Sequence, residues 1–104
     1  TITFPYSVRN RICIFGGHDS WRKSIRPLLP NARFYDRDEL PNADTIRNAD
    51  TVWIHTNALS HSYFYKIINT AREYKIPVRY FGYASARKCA EEIVEYDKER
   101  NVRE

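Results

Sequence analysis

Arg11-Ile12-Cys13-Ile14-Phe15-Gly16-Gly17-His18-Asp19-Ser20 is the stretch that decides the fold. One arginine leads into an apolar run rich in β-branched and aromatic side chains, and two glycines stop it. A continuous run of this length suits a strand covered on both faces, as in a parallel sheet. His18-Asp19-Ser20 then offers helix caps. Trp21, Ile25, Leu28 and Leu29 follow at i, i+4, i+7 and i+8, a single helical stripe. Pro27 falls late in that stripe, so the helix is expected to kink or end near Arg26. Strand, glycine turn and helix in this order open a βαβ unit.

The pattern continues downstream. Residues 32–36 alternate in polarity and read as a half-exposed strand. Leu40, Ala43, Ile46 and Ala49 suggest a short helix starting near Pro41. Thr51-Val52-Trp53-Ile54-His55-Thr56 is a second apolar strand. Residues 57–60 form a turn, with Ser60 or Ser62 as the cap of a helix whose stripe is Phe64, Ile67, Ile68, Ala71 and Tyr74. Residues 77–81 make a fourth strand, ended by Gly82. Ser85 caps a last helix striped by Ala86, Cys89, Ala90, Ile93 and Val94, and the charged tail from Lys98 is expected to fray. The reading is α/β: a single three-layer domain on a four-stranded parallel sheet. The first and third strands are apolar throughout and belong at the centre. The second and fourth carry Arg33 and Arg79 and belong at the edges. That predicts order 2-1-3-4, the flavodoxin/Rossmann-like winding.

With 104 residues the chain is one domain. Residues 1–10 read as a lead-in and residues 11–104 as the domain. No methionine is present, so the domain is expected to be excised from a longer chain. Hydrophobic residues at 42% and eight tyrosines exclude a disordered chain. No apolar run reaches the roughly 20 residues of a membrane helix and no signal peptide is evident, so a cytoplasmic protein with no membrane partner is expected. Cys13 and Cys89 form no motif and read as buried thiols in a reducing compartment. Seventeen Lys/Arg against 13 Asp/Glu give a net charge of +4. The excess is uneven: between Arg9 and Arg33 there are six basic residues and one acidic.

Open α/β sheets take ligands beyond the carboxyl ends of the strands, where the winding reverses. That point lies between the first and third strands. Gly16, Gly17, His18 and Ser20 approach it from one side, and Thr56, Asn57, Ser60, His61 and Ser62 from the other. Gly82, Tyr83 and Ser85 close a third side. Each of the two main loops runs into a helix start, where free N–H groups and the helix dipole favour an anion. Arg22 and Lys23 would add charge. The expected ligand is an anionic small molecule or nucleotide.

Sharper motifs fail. Residues 17–24 resemble a phosphate-binding loop, but Arg22 stands where the second glycine is required, and the third strand ends in His55-Thr56 without a magnesium-binding acid. A dinucleotide fingerprint needs three spaced glycines. A tyrosine-phosphatase loop needs Arg six residues after Cys13, and that residue is Asp19. No zinc spacing exists, and no cofactor is indicated. An enzyme reading rests on His18, Asp19 and His61 alone and is the weaker one.

Residues 12–18, with their apolar strand and Gly-Gly-His turn, resemble the opening of the bacterial family called domain of unknown function 2325. Ala49-Asp50-Thr51-Val52-Trp53-Ile54, then Thr56-Asn57 and Ser60-His61-Ser62, resemble its second signature. Ala71-Arg72 and Lys75-Ile76-Pro77-Val78 fit the helix-to-strand junction that follows. The resemblance covers residues 11–95. It departs at Tyr35-Asp36-Arg37 and at Gly82-Tyr83-Ala84-Ser85. It implies a small Rossmann-like bacterial domain, placed after helical segments in longer chains, with no established activity. Three rival readings stand beside the ligand pocket. One is a homo-oligomer or docking module, because Tyr63, Phe64 and Tyr65 cannot all face inward on one helix. Another is nucleic-acid binding through Arg9, Arg11, Arg22, Lys23, Arg26 and Arg33. The last is a haem or metal site at His18 or His61.

Overall fold

The structure is a computed structural model that describes residues 2–36, 42–57 and 59–103, the final three by backbone alone. Its strands are β1 (Ile12–Gly16), β2 (Arg33–Tyr35), β3 (Thr51–His55) and β4 (Val78–Tyr80). They form one parallel sheet in the order β2-β1-β3-β4. The helices are α1 (Asp19–Ile25), α2 (Ala43–Arg47), α3 (His61–Glu73) and α4 (Ala86–Arg103). The expected α/β winding is therefore the one the chain adopts. The polarity argument holds residue by residue: every residue of β1 and β3 is buried, whereas β2 and β4 carry exposed Arg33, Arg79 and Tyr80.

Alternate side chains of the central strands serve opposite faces. Ile12, Ile14 and Trp53 join Trp21, Ile25, Cys89, Ala90, Ile93 and Val94, beneath α1 and α4. Cys13, Phe15, Val52 and Ile54 join Ile46, Tyr63, Ile67 and Ala71, beneath α2 and α3. Burying each of these larger apolar side chains contributes about 1.5–3 kcal/mol, so neither helix layer is dispensable.

Local chemistry sets the element ends. Helix α1 stops at Ile25, and a single 3₁₀ turn at Arg26–Leu28 accommodates Pro27. Asn42 caps α2, its side chain accepting from the Thr45 N–H at 3.0 Å; Leu40 and Pro41 lie outside the described residues. Ser60, and not Ser62, caps α3, with Oγ accepting from the Tyr63 N–H at 3.2 Å. On that helix Tyr63 is buried, Phe64 half-buried and Tyr65 exposed. Ser85 Oγ accepts from the Lys88 N–H at 3.4 Å.

Two segments are better tied down than their composition suggests. Helix α4 runs on through Lys98 to Arg103. Just before that stretch it is anchored by Asp97, which has no exposed surface. Its Oδ1 accepts from the Asn10 N–H (3.0 Å) and Asn10 Nδ2 (2.7 Å), and its Oδ2 from the Arg9 N–H (3.0 Å) and the Tyr6 hydroxyl (3.0 Å). Hydrogen bonds to a charged acceptor contribute about 1.5–3 kcal/mol each. Residues 2–10 hold no helix or strand, but Val8 and Asn10 are buried, and Ile2, Phe4 and Tyr6 pack on the α1/α4 core. The lead-in is thus a strap across α4. No helix among the described residues is long and apolar enough to cross a membrane.

Candidate functional site

The carboxyl ends of β1 and β3 are stitched together. Gly16 lies opposite His55 in the ladder, and the Gly17 N–H donates to the Asn57 carbonyl at 3.0 Å. The glycine turn and the loop after β3 therefore lie side by side, with Ala58 outside the described residues. His18, Thr56, Asn57 and Ser60 are exposed on these loops, whereas Ser20 is exposed on the first turn of α1 and His61 and Ser62 on the first turn of α3, helices that pack on opposite faces of the sheet.

The glycines act differently from the expected close approach to a ligand. Gly16 and Gly17 have φ of +87° and +84°, a region that side chains disfavour. A Cβ on Gly16 would fall 2.2 Å from the His55 carbonyl oxygen and 2.9 Å from Leu59 Cγ. A Cβ on Gly17 would fall 2.5 Å from the Trp21 ring. On these sides each glycine meets protein. The pair lets two loops and a tryptophan close on one another.

Arg22 also departs from expectation. It was to add charge to the crevice and to a basic surface, but it is only 7% exposed. Its Nη1 donates to the Gly17 carbonyl at 2.5 Å, and its Nη2 pairs with Asp19 Oδ1 and, at 3.2 Å, with Asp36 Oδ1. The guanidinium locks the glycine turn to α1 and to the end of β2, and its charge is spent on two carboxylates. Asp19 already places a negative charge at the dipole end of α1. The start of α3 is different. Ser60 takes the N–H groups of Tyr63 and Phe64, while those of His61 and Ser62 meet no partner among the described residues.

His55 is the structural histidine its apolar strand suggests. Its ring packs edge-on to Trp21 at 4.6 Å, and Nδ1 accepts from the Asn57 N–H at 3.3 Å. Burial, and secondarily the nearby His18, lower its pKa and favour the neutral ring. That form supplies the unprotonated Nδ1 that the bond needs. Phe81 packs edge-on to Trp21 at 5.4 Å and stacks on Trp53 at 5.0 Å. Beneath it the Cys89 thiol, pushed up to about 11 by burial, donates to the Tyr83 carbonyl at 3.1 Å. Burial likewise raises Cys13, against the opposing charge of Arg33. Both thiols are held protonated and are poor nucleophiles.

Of the six basic residues expected to form one surface, only Arg9, Arg11 and Arg33 line a common cleft, at the amino end of the sheet. Arg26 lies over Phe34 at the β2 edge, and Arg22 is buried. Sequence reasoning missed Asp36 as the partner of Arg22; a carboxylate just past an edge strand was the available signal. Among the described residues no group of three His, Cys, Asp or Glu side chains is placed to hold a metal ion. Comparison with protein-family models, with curated proteins and with solved structures found no match to this chain.

Proposed function

We propose that the chain is a small ligand-binding module whose pocket lies at the carboxyl ends of β1 and β3. The observation that supports this reading is the Gly17–Asn57 hydrogen bond, which joins the turn that leads through His18 into α1 to the loop that leads through Thr56 and Ser60 into α3. An anionic group of the ligand would meet the open N–H groups of His61 and Ser62 at the positive end of α3, a helix of 13 residues. His18 and His61 would supply side-chain donors. With Arg22 committed elsewhere, charge contributes less here than polar contact, so the ligand is a nucleotide-like molecule bound by its polar groups. Two buried, protonated thiols and a neutral buried His55 leave no activated nucleophile among these residues, which favours binding over catalysis.

The test is an NMR titration with nucleoside mono- and triphosphates. Amide shifts are expected at Gly17, His18, Thr56, Asn57, His61 and Ser62. Replacing His18 and His61 together by Ala should weaken binding about tenfold, or about 1.4 kcal/mol, while leaving the melting temperature within about 2 °C. Unchanged affinity in that variant, or shifts confined to other surfaces, would end the reading.

A further inference from the structure

At the opposite end of the sheet a second cleft, of about 620 Å³, opens between the strap, the starts of β1 and β2, and α2. Arg9, Arg11 and Arg33 line it, and all three are exposed. Their backbones are fixed by separate restraints. The Arg9 N–H is held by Asp97 Oδ2 at 3.0 Å, and the Arg11 N–H by Asp50 Oδ2 at 2.7 Å. Arg33 is locked opposite Cys13 in the β1–β2 ladder. The guanidinium groups are not so committed. Arg11 Nη1 makes one long contact, at 3.5 Å, to the Asn48 carbonyl, and the Arg33 guanidinium donates to the Tyr35 hydroxyl beside Cys13, which leaves its remaining N–H groups for a ligand. Among the described residues none of the three pairs with a carboxylate. Asp44, the acid on the rim, is taken by Arg47 at 2.7 Å.

Three guanidinium groups around one cleft outnumber the Asp50 and Asp97 carboxylates held against the same backbone, and the surplus positive charge attracts an anion. Guanidinium forks present several donors in the geometry of a tetrahedral oxyanion and suit phosphate better than a single carboxylate. The other groups around the cleft include the neutral polar side chains of Thr45 and Asn48. We infer that this cleft is a phosphate-binding site, which takes the phosphate groups of a nucleotide or of a nucleic-acid strand through Arg9, Arg11 and Arg33. It lies at the far end of the sheet from the crevice and does not depend on the ligand proposed there.

Two probes separate the sources: pyrophosphate and a single-stranded oligothymidylate, each followed by amide NMR at about 50 mM salt, where phosphate contacts are strong. Shifts should centre on Arg9, Arg11, Arg33 and Asn48. The variant Arg9→Gln/Arg11→Gln/Arg33→Gln should bind at least tenfold more weakly. It keeps the backbone N–H bonds that hold the strap, so its fold is expected to survive. For the strand, three lost contacts at roughly 0.7 each should lower the log–log salt slope by about two. A control variant with the same loss of charge, Lys66→Gln/Arg72→Gln/Lys88→Gln, should bind within about twofold of the parent. If the triple variant unfolds, Arg9→Gln and Arg33→Gln are read singly, each lowering the slope by about 0.7. Pyrophosphate that binds one-to-one and displaces the strand identifies a nucleotide-type ligand. Cleft shifts with the strand alone identify a nucleic-acid backbone. Equal loss in the cleft and control variants, or no shift with either probe, overturns the site.

Discussion

The two ends of the sheet are built on opposite plans. At the carboxyl end charge is consumed inside the protein: Arg22 is buried against Gly17, Asp19 and Asp36. The turn closes only because Gly16 and Gly17 have no side chains. What remains exposed there, besides Asp19, includes the hydroxyls of Ser20 and Thr56, the Asn57 amide and the imidazoles of His18 and His61. At the amino end the carboxylates of Asp97 and Asp50 are consumed by backbone N–H groups, and the guanidinium groups are left over. Polar loops at one end and a cationic cleft at the other thus follow from which charged groups are already engaged: Arg22 by carboxylates, Asp97 and Asp50 by backbone N–H groups. The lesson is that a count of charged residues along the chain says little until one knows which of them the backbone has already engaged.

The largest expected effect breaks the carboxyl end alone. Gly16→Ala should destabilise the fold by about 4 kcal/mol or more, because the new Cβ meets the His55 backbone carbonyl, which cannot move without parting β1 from β3. Chemical denaturation reads it. A loss below about 1 kcal/mol would mean the two loops are not locked as described.

The next breaks the amino end. Asp97→Asn keeps shape but turns an amide NH₂ toward donors, and should cost about 3 kcal/mol. Hydrogen exchange should quicken at Arg9 and Asn10 while protection at Gly17 changes little. Uniform loosening at both ends would show that the strap and the glycine turn unfold together.

The smallest effect sharpens the contrast through pH. The pKa of His55 is lowered on folding, so below about 6.5 the unfolded chain binds more protons than the native one. Stability should therefore fall as pH drops through 6.5 and level off below the folded pKa. His55→Asn, whose Oδ1 can still accept from the Asn57 N–H, should flatten that limb. A parent protein whose stability does not change between pH 7 and 5 would contradict the burial of this ring.

Much of the architecture was legible in the residues. Ile12-Cys13-Ile14-Phe15 and Val52-Trp53-Ile54 are apolar without alternation, and only a strand covered on both faces tolerates that. Arg33 and Arg79 cannot be covered so, and they mark the edges. Pro27 and Ser60 set the helix ends through bonds that Pro lacks and Ser supplies. The juxtaposition of Gly17 with Asn57 also followed, because strand order and right-handed crossovers leave those loops nowhere else to meet. Where each charge points was not legible. Arg22, Arg9 and Arg33 are the same residue type in the same basic stretch, yet one is buried, one rides on the strap and one borders a strand. Asp97 reads as a tail residue until residues 6–10 are laid across it, 87 to 91 positions away in the chain. Periodicity and turn chemistry are local, so the chain alone determines elements and their winding. Pairing between distant charges depends on register and side-chain reach, and the tertiary structure alone decides it.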